Sequence, residues 1–227
     1  LPGSGVLGLQ SAAKAAAKLA DLPPPVLGKS VDVEPVSGTV LVALPVTGHA
    51  SVAGLSGMAT ESLSKGLKFI PLSEARQIPF GSTLDTSAGV ARIETAAAIR
   101  GKTQIGDFGA GIFKLLRQRK QLGLTEMDLM NAHSARVCTT LGKRATFAKH
   151  LSGKVLGRLN ANSHGHFTTR GQYSASTVRG TVWSVANKCN GTLTKVVRGV
   201  VSVRDFHRRK TVTLFTGQSY LAKAPGS

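Results

Sequence analysis

The chain predicts a mainly β fold with a small helical insertion and an N-terminal helix. Three observations carry that expectation. The last third breaks into runs rich in β-branched and aromatic residues, at 173–185, 191–203 and 211–220; polar and apolar positions largely alternate within them; and a Gly or an Asn-Gly sits at each break. Such side chains suit a pleated, half-buried surface, and alternation turns one set of them toward a core. Gly and Asn-Gly supply the turns between strands.

Residues 1–25 read as an arm and a linker. Residues 11–20 are Ala-rich, with Lys14 and Lys18 four apart and Ser11 placed to cap the start, so a helix is predicted there. A helix of about ten residues is marginal alone in water and needs a surface to pack on. Pro23-Pro24-Pro25 then forms a stiff extended linker. Residues 26–221 are expected to form the β domain. Strands are predicted at 31–35, 38–44 and 67–72, with a Gly/Ser/Ala-rich loop at 46–66. Residues 78–86 and 90–96, joined through Ser87-Ala88-Gly89, predict a β-hairpin, and 103–116 with 124–130 continue the short strands.

Residues 138–166 read as a basic insertion. Leu141, Ala145, Ala148, Leu151, Val155 and Leu159 recur at helical spacing, and Lys143, Arg144, Lys149, Lys154 and Arg158 occupy the remaining face. That pattern predicts an amphipathic basic helix over 138–160. Gly142, Gly153 and Gly157 oppose it by about 1 kcal/mol each relative to Ala. Residues 161–166 read as a turn, 167–220 as the closing β block and 222–227 as a tail. Asn190-Gly191 reads as a hairpin turn rather than as a glycosylation sequon.

A chain of 227 residues, 41% hydrophobic, can bury a sizeable core. It has no apolar run of about 18 residues, so no membrane span is expected. Because it begins at Leu1, either a leader has been removed or the sequence starts part-way along a longer chain. The net charge of +18 is uneven: residues 1–100 hold 8 Lys/Arg and 7 Asp/Glu, and residues 101–227 hold 21 and 4. A basic field of this size attracts nucleic acid, anionic glycopolymers, acidic lipid surfaces or an acidic protein, or it serves only to solubilise. The candidate polyanion-binding residues are Lys114, Arg117, Arg119, Lys120, Lys143, Arg144, Arg208, Arg209 and Lys210. Aromatics make up 5% of the chain, and Phe69, Phe80, Phe108, Trp183 and Phe215 read as core, which leaves little for base stacking. Any contact with nucleic acid would then be phosphate attraction without sequence reading.

The only cysteines are Cys138 and Cys189, with no C-x-x-C, so a zinc site is not expected. Two arrangements remain, a free buried pair or one disulfide. A location outside the cell favours the disulfide, which is the arrangement we expect. Closing a loop of about 50 residues would then stabilise the fold by roughly 3–4 kcal/mol. His164 and His166 could present both rings on one face of a strand as a metal pair, although two exposed loop histidines explain them as well. Cys138 with His133 or His150 could form a thiol nucleophile, which a disulfide would abolish. Asp85, Glu94, Asp107, Glu126 and Asp128 are too few and scattered for acid–base pairing; acids at strand ends usually serve turns. Leu44-Pro45-Val46-Thr47-Gly48 matches a sortase string but lacks the following apolar span and basic tail. No catalytic residue, metal or cofactor is therefore expected.

Thr177-Val178-Arg179-Gly180-Thr181-Val182-Trp183, Gly199-Val200-Val201-Ser202-Val203, Thr211-Val212-Thr213-Leu214 and Gly217-Gln218 together resemble the pattern of FecR-type β domains. Residues 78–86 and 89–93, with Gly106-Asp107-Phe108 and Gly111-Ile112-Phe113, resemble that family's first half, so the likeness covers about residues 38–221. With its cysteine pair and residues 167–181, the chain is most similar to secreted actinobacterial cell-surface members. The resemblance implies an all-β roll or short β-helix-like sandwich outside the cytoplasm, without catalytic residues. Iron signalling does not carry over, because it works through a cytoplasmic segment and a membrane helix for which this sequence gives no signal. The expected function is that of a secreted, non-enzymatic structural or adhesive cell-surface protein. Its basic half would face an anionic envelope polymer or an acidic protein. Its N-terminal arm would chain copies into a homo-oligomeric filament or lattice. The alternative is a polyanion-binding module for an anionic glycopolymer or, without sequence preference, nucleic acid.

Overall fold

The computed structural model describes residues 18–45, 60–61, 67–118, 121–131, 138 and 153–225. A 3₁₀ turn, Leu19–Asp21, precedes the first strand. The strands are β1 (Ser30–Ala43), β2 (Thr60–Glu61), β3 (Lys68–Pro71), β4 (Arg76–Pro79), β5 (Thr83–Ala96), β6 (Thr103–Gly109) and β7 (Ile112–Arg117). They continue with β8 (Thr125–Met130), β9 (Val155–Arg170), β10 (Ser174–Lys188), β11 (Gly191–Arg198), β12 (Val200–Asp205), β13 (Thr211–Phe215) and β14 (Ser219–Lys223).

Two long strands organise the sheet. β5 pairs with β6 along one stretch and with β7 along another. β9 pairs with β6 and β8 in the same divided way, and β7 pairs with β8. The ring β5-β6-β9-β8-β7 thereby closes into a small barrel, antiparallel except for β8 and β9. Closure leaves no open edge among these strands. A wing extends from each long strand. β1 lies along the outer edge of β5 and carries β3 and β4 on its far side. β10 lies along the outer edge of β9 and carries β11 and β12, which pair in turn with β14 and β13.

One buried cluster runs from Val31 and Val33 in β1, through the barrel, to Val201 and Val203 in β12 and Leu214 in β13. Phe108 is its hub, with ring centroids 6.0 Å from Phe113, 5.4 Å from Phe167 and 6.4 Å from Trp183. Tilted and edge-on aromatic contacts of this kind add to the stabilisation from area burial. The one polar atom of the Trp183 side chain is satisfied, since its Nε1 donates to Thr169 Oγ1 at 3.3 Å. At one end of the barrel the Gln104 carboxamide donates to Thr95 Oγ1 at 3.0 Å and to the Gly123 carbonyl, and accepts from the His166 N–H at 2.8 Å. A buried amide with its groups partnered fixes the strand ends it joins.

The mainly β expectation holds, while several elements differ. Residues 87–89 do not form a hairpin turn. β5 runs straight through them and pairs with β1 along its length, with Gly89 opposite Gly38. A Cβ on Gly38 would lie 2.1 Å from the Ala88 carbonyl, and one on Gly89 would lie 2.6 Å from the Ser37 and Thr39 carbonyls. These glycines allow two bulged strands to approach closely, a use of Gly that reads locally like a turn. Residues 155–160 are strand rather than helix, and 161–166 continue β9 instead of turning. The register against β10 shifts between Arg179 and Thr181, leaving an extra residue in β9 at Gly165, whose φ is 135°. A bulge and pairing on both edges override the turn-like Asn, Ser, His and Gly composition. The remainder of the basic insertion, apart from Cys138 and residues 153–154, lies outside the described residues, as do residues 11–17 of the predicted N-terminal helix. Its described end is the 3₁₀ turn. Most of the predicted loop at 46–66 also lies outside them. β14 extends through Ala222, which is fully buried, to Lys223. Cys138 and Cys189 are joined in a disulfide, with Cα atoms 5.4 Å apart. Cys189 and Asn190 form the two-residue turn between β10 and β11.

Candidate polyanion interface

The two wings, each taken with the long barrel strand it hangs from, carry opposite balances of charge. Residues 30–96, which span β1 to β5, hold four Lys/Arg and six Asp/Glu; residues 155–223, which span β9 to β14, hold eleven Lys/Arg and one acid, Asp205. In the first wing the charges are largely paired. Arg92 donates to both oxygens of Asp107 at 2.8 and 3.1 Å and lies 3.6 Å from Glu34. Arg76 meets Glu74 at 3.4 Å, and the Gln77 amide donates to Asp32 at 2.9 Å.

In the second wing the acid is turned inward. Asp205, 1% exposed, ends β12. Its carboxylate accepts from the Arg208 N–H and from the Tyr220 hydroxyl, both at 2.8 Å. Burial alone would raise its pKa. The Arg208 N–H, the Tyr220 hydroxyl and the charges of Arg208 and His207 outweigh that and hold it below the ordinary carboxylate value. Tyr220 is pushed up, first by its own burial and then by the Asp205 carboxylate. The turn is closed further by Asp205 N–H on the Lys210 carbonyl at 2.9 Å and Phe206 N–H on the Tyr173 carbonyl at 3.0 Å. Arg209 takes a left-handed φ of 53° at its crest. A short stretch of chain therefore presents Arg208, Arg209 and Lys210, all exposed, from a fixed base.

The sheet adds cations beside this turn. Strand register places Lys114, Asp128, Arg170, Ala175, Arg204 and Thr211 in one row across β7, β8, β9, β10, β12 and β13. Arg170 lies over the Phe206 ring, 5.0 Å from its centroid, and the Lys210 ammonium lies 5.8 Å from that of Tyr220. Cation–π contacts hold long basic side chains in place without cancelling their charge. Asp128 is raised by burial, while Arg170 and Lys114 pull it back. Lys114 thus shares the row but faces an acid before it reaches the cluster.

Of the residues expected to bind a polyanion, the fold brings Arg208, Arg209 and Lys210 together and adds Arg170 and Arg204 to them. Arg117 belongs elsewhere, at the barrel end, where it donates to the Gly28 carbonyl at 3.4 Å. Arg119, Lys120, Lys143 and Arg144 lie outside the described residues. The alternation of Val201, Ser202, Val203 and Arg204 could have shown that Arg204 faces outward. Arg170 needed the register, which no local signal carries. Phe206 and Tyr220 sit beneath cations and are half-buried, so they brace the cluster rather than offer open stacking faces.

A shallow groove of about 690 Å³ crosses the sheet between the wings, floored by Gly89, Gly109, Asn160, Asn162 and Ser184. Register sets Lys195 opposite Ser184 and Arg198 opposite Val182, along the groove's β11 side. Among the described residues no group of three or more His, Cys, Asp or Glu could hold a metal ion. His164 and His166 flank the Gly165 bulge, and His166 is lowered by burial and by Arg179 across the ladder. No helix among the described residues is long and apolar enough to cross a membrane. Comparison with protein-family models, with curated proteins and with solved structures finds no match.

Proposed function

We propose that this chain is a non-catalytic extracellular protein, structural or adhesive, that holds an anionic polymer against its basic wing. The observation that carries the reading is the eleven-to-one excess of cations over residues 155–223, with the one acid sequestered beneath the cationic turn. Unpaired like charges on one sheet repel each other, and a polyanion relieves that repulsion by displacing their counterions. The Cys138–Cys189 disulfide suits an oxidising compartment. Kinship with FecR-type β domains belongs to the same proposal, on the residue pattern of 177–218. Self-assembly through residues 1–25 is its finer part, favoured by the β13 edge, which among the described residues pairs with β12 alone and carries Phe215 at 55% exposure. Deleting residues 1–25 should then abolish large species in sedimentation; unchanged assembly contradicts that part.

The test of the central reading is a salt titration of binding to duplex DNA and to a teichoic-type polymer. Affinity for DNA should fall with log salt at a slope of about −0.9 per phosphate contacted. Replacing Arg208, Arg209 and Lys210 together with Ala should make that slope shallower by about 3. Absent or salt-independent binding would reject the reading.

A further inference from the structure

A second surface lies at the barrel end and does not depend on the polyanion reading. Three loops converge there: residues 22–29 before β1, 97–102 between β5 and β6, and the described residues 118 and 121–124 between β7 and β8. Each carries an aliphatic side chain out into water: Ile99 and Leu122 are each 70% exposed, Val26 47% and Leu27 40%. These are large exposures for such residues, and they occur together. A Cβ on Gly123 would lie 2.3 Å from the Ala98 N, which shows how tightly the second and third loops pack. Arg117 ties the first loop to the barrel through the Gly28 carbonyl. Between the loops opens a pocket of about 340 Å³, lined mainly by Leu27, Phe80, Leu122 and Leu124 with Arg117 among them.

The loops are held in this form. The 97–102 turn is closed by Ala97 N–H on the Lys102 carbonyl at 2.9 Å, and the Gln104 amide anchors the Gly123 carbonyl from below. These bonds anchor the second and third loops in the form that exposes their aliphatic tips. The charges within the loops are of one sign, and the acids reached from them, Glu126 through Gln118 and Asp32 through Gln77, are buried. Lys29, Arg100, Lys102 and Arg117 stand beside the tips, and no Asp or Glu occurs in residues 22–29, 97–102 or 118–124.

We propose that this three-loop tip docks on an anionic lipid surface, with Ile99, Leu122 and Leu27 entering the acyl boundary and the adjoining cations meeting the headgroups. Exposed apolar patches mark interaction sites, and basic residues beside shallowly inserted aliphatics are the chemistry of peripheral membrane attachment. Separate convex tips of uniform charge match a deformable, uniformly negative surface better than a rigid protein face of mixed charge.

The experiment is co-sedimentation of the full chain with vesicles of equal parts phosphatidylcholine and phosphatidylglycerol, beside vesicles of phosphatidylcholine alone. Binding is expected only to the anionic vesicles. Ile99→Ser and Leu122→Ser should each weaken it on the order of tenfold, the scale of one aliphatic side chain leaving an apolar phase. Both sites are exposed, so these variants should melt as the parent does. Their binding to duplex DNA should be unchanged, while the variant lacking Arg208, Arg209 and Lys210 should retain its dependence on Ile99 and Leu122. Leu122→Trp should show a blue-shifted emission on the anionic vesicles. Undiminished vesicle binding by the two serine variants, equal binding to neutral vesicles, or no Trp shift would each overturn the proposal, whatever the polyanion titration shows.

Discussion

The β1 wing and the β10 wing hang from the barrel by the same device. In each, a second long strand lies along the outer edge of a long barrel strand, β1 on β5 and β10 on β9, and carries shorter strands on its far side. Their interiors feed one apolar cluster. Their surfaces part company. The β1 wing and the barrel strands beside it hold their charges in pairs, Arg92 of β5 with Asp107 of β6 and Glu34 of β1, Arg76 with Glu74, and Asp32 with Gln77. Among the described residues, the cations of the β10 wing make no salt bridge at contact distance, and its one acid is buried. Since both wings are built on the same apolar logic, the fold does not require the charge. An excess of cations works against a compact state, and the proposed anionic polymer would relieve it.

The largest effect should come from what the wings share. Phe108→Ala should destabilise the protein by about 3–5 kcal/mol. Amide exchange should show both wings loosening together; a β1 wing that melts separately would break the shared-core half of the comparison. Next, replacing Cys138 and Cys189 with Ser should cost roughly 3–4 kcal/mol, seen as a lower midpoint in denaturant, because the disulfide closes a loop of about 50 residues that ends in the β10 wing.

Asp205→Asn should cost about 1–3 kcal/mol near neutral pH, since it weakens the acceptor for Arg208 N–H and the Tyr220 hydroxyl. Here pH separates the wings. The Asp205 pKa is lowered on folding, so its contribution is fully present well above the ordinary value of 3.8 and is lost as pH falls below it. The difference between parent and Asp205→Asn should therefore shrink in thermal melts taken at progressively lower pH. Asp32 in the β1 wing behaves oppositely. Burial raises its pKa, Gln77 partly offsets that and Glu94 adds to it, so its protonation as pH falls favours the folded state. The smallest effect is expected from Arg92→Ala, about 0.2–1 kcal/mol by denaturant titration, because the Arg92 side chain is over a third exposed and water screens its pairs.

Much of the β10 wing was legible in the chain. Alternation along Val200–Asp205 matches its inward Val201, Val203 and Asp205, and the Asn190-Gly191 signal marked a real hairpin, with Cys189 and Asn190 as its central pair. With only two cysteines the alternatives were a free buried pair or one disulfide, and the expected extracellular location favoured the disulfide that the structure holds. What could not be read is whatever depends on neighbours distant in sequence. Residues 161–166 are strand because β6 and β10 pair with them from either side, not because Asn, Ser, His and Gly favour it. Gly89 marks a close strand approach rather than a turn, a distinction that only Gly38 opposite it can make. Barrel closure rests on β6 and β8 having second partners, and the cationic cluster rests on Arg170 meeting Phe206. The exposed tips Ile99 and Leu122 carry no periodic signal, because each is a single apolar residue in a short loop.

The most direct test of the account is an amide-exchange footprint of the full chain with and without a bound anionic polymer, taken at low salt. Protection should appear at residues 168–170 and 202–211, around Arg170, Arg204 and the Arg208-Arg209-Lys210 turn, and residues 30–43 and 68–79 should exchange as in the free protein. Protection centred on the β1 wing, or no change anywhere, would contradict it.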